Sequence, residues 1–354
     1  MTTQLIALPD LINRYCAHNE IPPDDPRIMP AILQAHAPAG PGFVVPIDAL
    51  RAEAFVRHDA RCHPRGVEYR VPHRLRALAH HWSRPGSVLA EWSALELLGL
   101  SEFSAGADVT LLCSANHRVA ADAASATVRR RRAHHTTTLL FADERPVLVT
   151  ERMTTLAACL RALHNKEHAW EIPASLEVDP VTVMSVQLID RFCRVFQVSH
   201  EEVRAGMSKQ VSARELGRIL ALSDPGAESK PETVLRLLAH EAVGDLPGVR
   251  LETQVPLYTD GTVGEPGEVD RSRTLLTRFD VAERRLRIGL QHDGEHHLQR
   301  SQRDKDAEIN ADVLKFGWNQ IRTSAGMLRR TAETKRRIRE AVVAAVRRCD
   351  DGSS

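Results

Sequence analysis

Two acidic residues and one histidine end two neighbouring apolar segments in the last third of the chain. Asp280 ends the segment that begins at Arg278, whereas Asp293 and His297 follow the segment that begins at Leu286. Two β-strands joined by a short turn would bring both carboxylates to one edge of a sheet, with the imidazole just beyond. Two carboxylates can hold a hard cation such as Mg²⁺, and an imidazole can take a proton from water. The spacing therefore predicts a metal-dependent site that hydrolyses phosphodiester bonds.

The pattern around these residues predicts the elements that must position them. Ser229, with Glu232 three residues later, has the spacing of a capping box at a helix start. The predicted elements are the helix 232–240, the strands 250–257, 274–281 and 286–292, the helix 302–315, a last strand at 317–322 and the basic helix 327–348. This order predicts an α/β architecture with a central mixed sheet flanked by helices.

The length of the chain bears on its division into domains. A chain of 354 residues favours two or three domains over one. The clearest linker is the segment 223–227, Ser-Asp-Pro-Gly-Ala. We therefore expect residues 1–85 to form a helical module, 86–222 a small α+β domain and 225–354 the α/β domain. In 1–85 two helices precede a β-ribbon, an order that suits a winged helix or an irregular helical cap.

Composition excludes several classes of protein. The formal net charge of +1 excludes a protein that is basic throughout, but it leaves a local basic patch open. The six cysteines stand singly without a C-x-x-C pair, which argues against a structural zinc site. A signal-peptide core, an apolar stretch of membrane-spanning length and the glycine-rich loops of nucleotide cofactors are not found in the sequence. We expect a cytoplasmic protein with no membrane partner and no organic cofactor.

Residues 228 to about 330 resemble the very-short-patch-repair-like branch of the PD-(D/E)XK endonuclease fold. Within that branch they are most similar to a bacterial domain of unknown function. The motifs that carry the resemblance are Ser229-Lys230-Pro231-Glu232, Phe279-Asp280, Gln291-x-Asp293-Gly294-x-x-His297, Arg303-Asp304-x-Asp306 and Gly317-Trp318 before Ile321-Arg322. The resemblance implies a restriction-endonuclease-like fold and Mg²⁺- or Mn²⁺-dependent hydrolysis of DNA.

Trp318 belongs to one of these motifs. A tryptophan is more often a core residue than a ligand contact, and we assign Trp318 to the core.

The same resemblance implies a role for each candidate catalytic residue. Asp280 and Asp293 would hold the metal, with Asp293 in the place of the lysine of the wider fold. His297 would be the imidazole of the branch, and Glu232 an accessory acid. Gln291 stands where the family usually has glutamate, and a neutral amide supplies one carbonyl oxygen and no charge.

A second departure lies on the helix after the site, where Ile309 stands in place of an arginine that the family often shows. Both departures bear on catalysis and leave the fold untouched. For the acids themselves, the alternative is exposed turn residues, because Asp293-Gly294 alone is typical of a hairpin turn.

Residues 87–163 resemble the N-terminal part of the same long bacterial proteins. That part is related to AbiEi-type antitoxins, which are transcriptional regulators with a winged helix. The motifs are Ala94-Leu95-x-Leu97-Leu98-Gly99-Leu100, Val109-Thr110 and Thr150-Glu151-Arg152. This resemblance implies a second hypothesis, a DNA-binding regulator that keeps the nuclease-like domain as a scaffold.

Both hypotheses name DNA as the partner, and basic side chains are the candidate contacts to its phosphates. The candidate residues are Arg129, Arg131, Arg303, Arg329, Arg330, Lys335 and Arg336. Arg129 and Arg131 would share one face of a strand, and the last four belong to the predicted basic helix or its start. The alternative for each cluster is a solvated surface.

Overall fold

The structure is a computed structural model. It describes residues 5–114, 122, 124–133, 135–208, 210–293 and 300–350, with the backbone alone for 300–306 and 350. Within these ranges, no helix is both long and apolar enough to cross a membrane.

Helices and strands both occur along the described chain. The helices are α1 (Leu8–Asn19), α2 (Ile28–Ala35), α3 (Glu53–Cys62), α4 (His73–Trp82), α5 (Glu91–Leu97), α6 (Arg152–His164), α7 (Pro180–Phe196), α8 (His200–Gly206), α9 (Ala213–Leu222), α10 (Lys230–Val243), α11 (Arg300–Lys315), α12 (Ala325–Arg329) and α13 (Thr331–Asp350). The strands are β1 (Ile6–Ala7), β2 (His36–Gly40), β3 (Phe43–Pro46), β4 (Val88–Leu89), β5 (Thr110–Cys113), β6 (Thr127–Arg130), β7 (Thr137–Ala142), β8 (Arg145–Thr150), β9 (Glu252–Tyr258), β10 (Leu275–Glu283), β11 (Ile288–His292) and β12 (Asn319–Thr323).

The chain divides into two compact units that are interleaved in sequence. The first unit is Met1–Glu171 with Glu201–Ala213, and the second is Ile172–His200 with Arg214–Ser354. Residues 1–85 therefore lie in one unit with 86–171, and residues 172–200 lie in one unit with 214–354. The three-part division drawn from the sequence stays a prediction.

Two sheets build the first unit. A three-stranded antiparallel sheet has the order β1-β3-β2, and a five-stranded mixed sheet has the order β6-β5-β4-β8-β7. One cluster of buried side chains joins them, with Val45 from the small sheet, Leu78 from α4 and Leu111 from the large sheet among its members. α1 and α2 precede the β2–β3 hairpin, and the winged-helix assignment stays a prediction.

The second unit contains a four-stranded mixed sheet. Its order is β12-β11-β10-β9, in which β9, β10 and β11 are antiparallel neighbours and β12 is parallel to β11. Side chains of α10 and α13 pack with Val281 and Leu290, whereas side chains of α11 pack with Phe279 and Ala282. Helices therefore cover both faces, and the α-β-β-β-α-β order predicted from the sequence is confirmed in these elements. The finer restriction-endonuclease-like assignment stays a prediction.

The last helix is where the predicted boundaries differ from the structure. The single helix expected at 327–348 is divided at Arg330 into α12 and α13. The backbone of Arg330 leaves the helical conformation (φ −91°, ψ 57°). The buried Thr331 next to it donates a hydrogen bond from its hydroxyl to the carbonyl of Ala174 at 2.7 Å. This tertiary contact involves a residue 157 positions away in the chain, so helical periodicity does not reveal it.

Side-chain alternation is interrupted in β10 beside Asp280. Phe279 and Ala282 pack with α11, whereas Val281 packs with α10. In a regular strand Phe279 and Val281 would share a face. On the neighbouring strand, Gln254 lies opposite Asp280 and has a left-handed backbone with φ of 52°. Both strands are therefore irregular at the position of the predicted metal-binding aspartate.

Candidate metal centre

Glu232 lies in the first turn of α10 and is held there by local hydrogen bonds. Ser229 is the N-cap, and its hydroxyl oxygen accepts a hydrogen bond from the Glu232 N–H at 3.4 Å. In return, the Glu232 carboxylate accepts from the Ser229 hydroxyl and from the Glu228 N–H, each at 2.8 Å. The capping-box spacing predicted from the sequence is confirmed, with the Glu228 N–H taking the place of the N-cap N–H.

Asp280 lies within β10, one residue before the ladder with β11 begins, and is half-buried. Its Oδ2 accepts a hydrogen bond from the His292 N–H at 2.6 Å, which orients the carboxylate. Burial, followed by the charge of Glu232, raises the pKa of Asp280 to about 7. Burial also raises the pKa of Glu232. Each carboxylate is therefore harder to ionise than an exposed acid, and the charge of Glu232 adds to the effect of burial at Asp280.

The cations near this pair are held by another acid. Glu228 binds Arg194 at 2.5 Å and Arg278 at 2.7 Å. Within the described part of the chain, neither Asp280 nor Glu232 forms an ion pair. Their negative charge is thus reduced only by hydrogen bonds and by Arg278 at longer range.

Gln254 is a member of this site that sequence reasoning missed. Its Nε2 donates a hydrogen bond to Glu232 Oε2 at 3.0 Å. The residue is 2 % exposed, and its Oε1 is buried without a hydrogen-bond partner among the described residues. Simple alternation in the strand 250–257 would place Gln254 on the face of Glu252 and Pro256, so the sequence alone carries no signal for an inward amide.

These residues fit a hard divalent cation. Mg²⁺ is usually bound through one or two carboxylates, with water and substrate oxygens completing its shell. Asp280 and Glu232 supply two carboxylates, and the Gln254 amide lies beside them. Three or more His, Cys, Asp or Glu residues in metal-binding proximity are not found in the ranges that the structure describes. A site built on two acids is therefore consistent with Mg²⁺ or Mn²⁺ and not with a zinc site closed by four protein ligands.

Asp293 has a different partner from the one the sequence suggested. Both of its carboxylate oxygens accept hydrogen bonds from the Arg322 Nε at 2.9 Å, and Oδ1 also accepts from Nη2 at 2.7 Å. Its N–H donates to the Thr323 carbonyl, which holds it beside β12. The prediction that Asp280 and Asp293 share one cation stays a prediction, and it requires Arg322 to release Asp293.

Gln291 and His297 complete the predicted set. Gln291 lies in β11, and its Oε1 accepts a hydrogen bond from Gln320 Nε2 at 2.7 Å. This amide oxygen is thus engaged with a neighbouring strand. His297 lies outside the described residues.

The two arginines of the first unit that are predicted to contact phosphate differ in their accessibility. Arg129 forms ion pairs with Glu91 at 3.0 Å and Glu167 at 2.7 Å. Arg131 is exposed and donates a hydrogen bond to the Thr137 hydroxyl at 3.3 Å. Of these two arginines, Arg131 is the more accessible to a phosphate.

Most predicted basic residues of α12 and α13 lie beside acids. Arg330 pairs with Glu333 at 3.1 Å and Arg336 with Glu340 at 2.8 Å. Lys335 binds Glu241 at 3.1 Å and Glu177 at 3.7 Å. Arg329 is exposed at the end of α12, and the side chain of Arg303 lies outside the described residues. The basic run thus carries less free positive charge than its sequence suggests.

Comparison with known proteins adds no relationship to this geometry. The chain matches no protein-family model, and it has no significant match among curated proteins.

Proposed function

We propose that the second unit is a divalent-cation-dependent phosphodiesterase that acts on DNA. The observation that carries the proposal is the Asp280–Glu232 pair. Both carboxylates are half-buried, have raised pKa values and lack an ion-pair partner in the described chain, so a bound divalent cation would stabilise their charged forms. The motif resemblance supports DNA as the substrate class.

The residues around the pair would prepare it for this chemistry. A cation held by Asp280 and Glu232 would polarise a phosphoryl oxygen and lower the pKa of a bound water. The His292 N–H fixes the Asp280 carboxylate, and the Ser229 hydroxyl fixes that of Glu232. Arg278, held by Glu228, would place positive charge near the substrate phosphate. His297 would accept the proton of the attacking water, as the sequence predicts.

Cleavage of supercoiled plasmid DNA by the full-length protein tests the proposal. We expect the parent protein to nick the plasmid in Mg²⁺ or Mn²⁺ and to be inactive in EDTA. Asp280→Asn keeps the size of the side chain but removes its charge. It should slow nicking by about a hundredfold or more, because several kcal/mol of metal-dependent stabilisation are lost.

A matched variant separates the site from a general loss of acidic charge. Asp245→Asn makes the same change on an exposed aspartate just beyond the far end of α10, where the side chain binds Arg339. This variant should nick at the parental rate. An Asp280→Asn protein that cleaves as fast as the parent would rule out the nuclease proposal.

A second candidate function is a non-catalytic DNA-binding regulator. The regulator is favoured by the hydrogen bonds that two residues next to the proposed site already make within the protein. Asp293 is neutralised by Arg322, and Gln291 is hydrogen-bonded to Gln320. A protein that does not cleave DNA can keep both contacts. A nuclease that uses Asp293 as a metal ligand has to break the contact between Asp293 and Arg322.

Gel-shift assays distinguish the two candidates. Upstream DNA of the protein's own gene would be titrated in EDTA, beside the plasmid assay in Mg²⁺ and Mn²⁺. A tight, sequence-specific shift with no cleavage in either metal would support the regulator. Cleavage that depends on Asp280 would support the nuclease.

A further inference from the structure

We propose that the side-chain oxygen of Gln254 is a third protein ligand of the cation site, beside Asp280 and Glu232. This inference rests on the proposed function and names a ligand that the motifs do not contain. Three features of Gln254 carry it: its backbone conformation, its unpartnered oxygen and the charge of its neighbours.

The backbone of Gln254 is in an unfavourable conformation. Its φ of 52° lies in the left-handed region, within β9 and opposite Asp280. For a residue other than glycine, such a conformation is unfavourable and persists only where other interactions hold it. Its effect is local, since Val255 and Leu257 in the same strand pack regularly with Phe279 and α11.

The amide of Gln254 is only half satisfied. Nε2 donates to Glu232 Oε2, whereas Oε1 has no partner among the described residues although Gln254 is 2 % exposed. Rotating the amide by half a turn would place its oxygen against the Glu232 carboxylate, so the hydrogen bond to Glu232 determines that the oxygen is the atom left without a partner. A buried acceptor without a partner is destabilising, and a bound cation would satisfy it.

The charges next to Gln254 explain why a neutral oxygen would be useful here. Asp280 and Glu232 already repel each other, and a third carboxylate would increase that repulsion. An amide carbonyl adds a hard oxygen ligand without adding charge. One cation would therefore offset the repulsion of the acids and supply the missing partner of Gln254 Oε1.

Direct measurement of cation binding tests the inference without relying on catalysis. Mn²⁺ binding to the full-length protein would be followed by electron paramagnetic resonance of the free ion. Gln254→Leu removes the oxygen and keeps a similar volume. It should weaken Mn²⁺ binding by about 10–100-fold, in the range found when groups that support a metal site are removed.

Gln197→Leu is the matched control. Gln197 is also a glutamine with a left-handed backbone in the second unit, with φ of 51°, but it is exposed at the end of α7. The Gln197→Leu protein should bind Mn²⁺ like the parent. Thermal unfolding in EDTA should show that the Gln254→Leu protein is folded. Gln254→Glu is a second variant, which restores an oxygen ligand and should bind Mn²⁺ at least as tightly as the parent.

The outcomes separate the two proposals. Parental Mn²⁺ binding by Gln254→Leu, together with loss of binding by Asp280→Asn, would overturn the role of Gln254 and leave the acid pair intact. Loss of binding by Gln254→Leu that Gln254→Glu does not restore would also overturn it, because Gln254 would then only position Glu232. A parent protein that binds no Mn²⁺ would overturn both proposals.

Discussion

At the scale of single residues, what distinguishes the acids of the second unit is the partner that each one has. Asp293 is paired with Arg322 and Glu228 with Arg194 and Arg278, whereas Asp280 lies beside Glu232. A raised pKa follows from burial together with a like charge, and such groups are concentrated at functional sites. We therefore expect the charge state of Asp280 to affect the stability of this unit and the proposed cation binding.

The raised pKa of Asp280 predicts how stability depends on pH in the absence of divalent cations. Its folded pKa of about 7 lies above its usual value of 3.8. As pH rises between these values, the unfolded chain releases a proton that the folded chain retains, so the free energy of unfolding decreases. The decrease in the free energy of unfolding is complete above pH 7, where the Asp280 carboxylate is charged in the folded protein. Below pH 4 there is no decrease, because the carboxyl group is protonated in both states.

Asp280→Asn removes this titration. In EDTA at pH 8 we expect the variant to be more stable than the parent by about 1–3 kcal/mol, and at pH 4 the two should be equal. Urea denaturation at both pH values measures the difference. An equal stability gap at pH 4 and pH 8 would contradict the raised pKa.

At the scale of elements, the sheet of the second unit depends on one close contact between β10 and β11. Phe279 stacks on Trp318 with ring centres 4.7 Å apart, and the phenyl ring fills the space above Gly289. A Cβ at position 289 would lie 2.3 Å from the Phe279 ring. The backbone next to Asp280 is therefore positioned by a side chain that only glycine can accommodate.

Gly289→Ala should destabilise the protein by about 1–3 kcal/mol, because the added methyl group displaces the Phe279 ring from Trp318. Gly217→Ala is the matched control. Gly217 lies within α9 with nothing near its missing Cβ, so alanine should stabilise the helix by up to about 1 kcal/mol. Chemical denaturation gives both values, and shifts of the same sign in the two variants would contradict the packing argument.

At the scale of the whole molecule, the second unit includes a segment that precedes the predicted linker. Asp190 on α7 is fully buried and binds Arg236 of α10 at 2.9 Å. It also accepts hydrogen bonds from the Thr233 and Ser223 hydroxyls. Val183 of the same helix belongs to the core formed by α10, α13 and the sheet. The α7 segment is thus part of this unit's interior.

This arrangement predicts which fragments will fold. A fragment of residues 225–354, the boundary that the linker suggests, would leave Arg236 buried without its carboxylate, and breaking a buried ion pair costs about 3–5 kcal/mol. A fragment of residues 172–354 keeps Asp190 and should unfold cooperatively. Circular dichroism and urea denaturation of both fragments test this, and equal stability of the two would contradict it.

Much of the second unit could be predicted from local sequence. The capping box at Ser229, the order of strands and helices and the core position of Trp318, which is 2 % exposed, all follow from short-range patterns. These patterns reflect backbone hydrogen bonding and burial within a few residues along the chain. Asp280 and Glu232 are both candidate site residues from the motifs, although the motifs pair Asp280 with Asp293 for the metal and make Glu232 an accessory acid.

The partners of the charged residues were decided only by the tertiary structure. Arg322 meets Asp293 because β11 and β12 are parallel neighbours, and Arg129 meets Glu167 because α6 ends near β6. Gln254 enters the site through one left-handed residue in β9. Ion pairs act over a few ångströms in space, often between residues far apart in the chain. The sequence by itself therefore determined which elements form, whereas the packing of those elements decided which charges are neutralised.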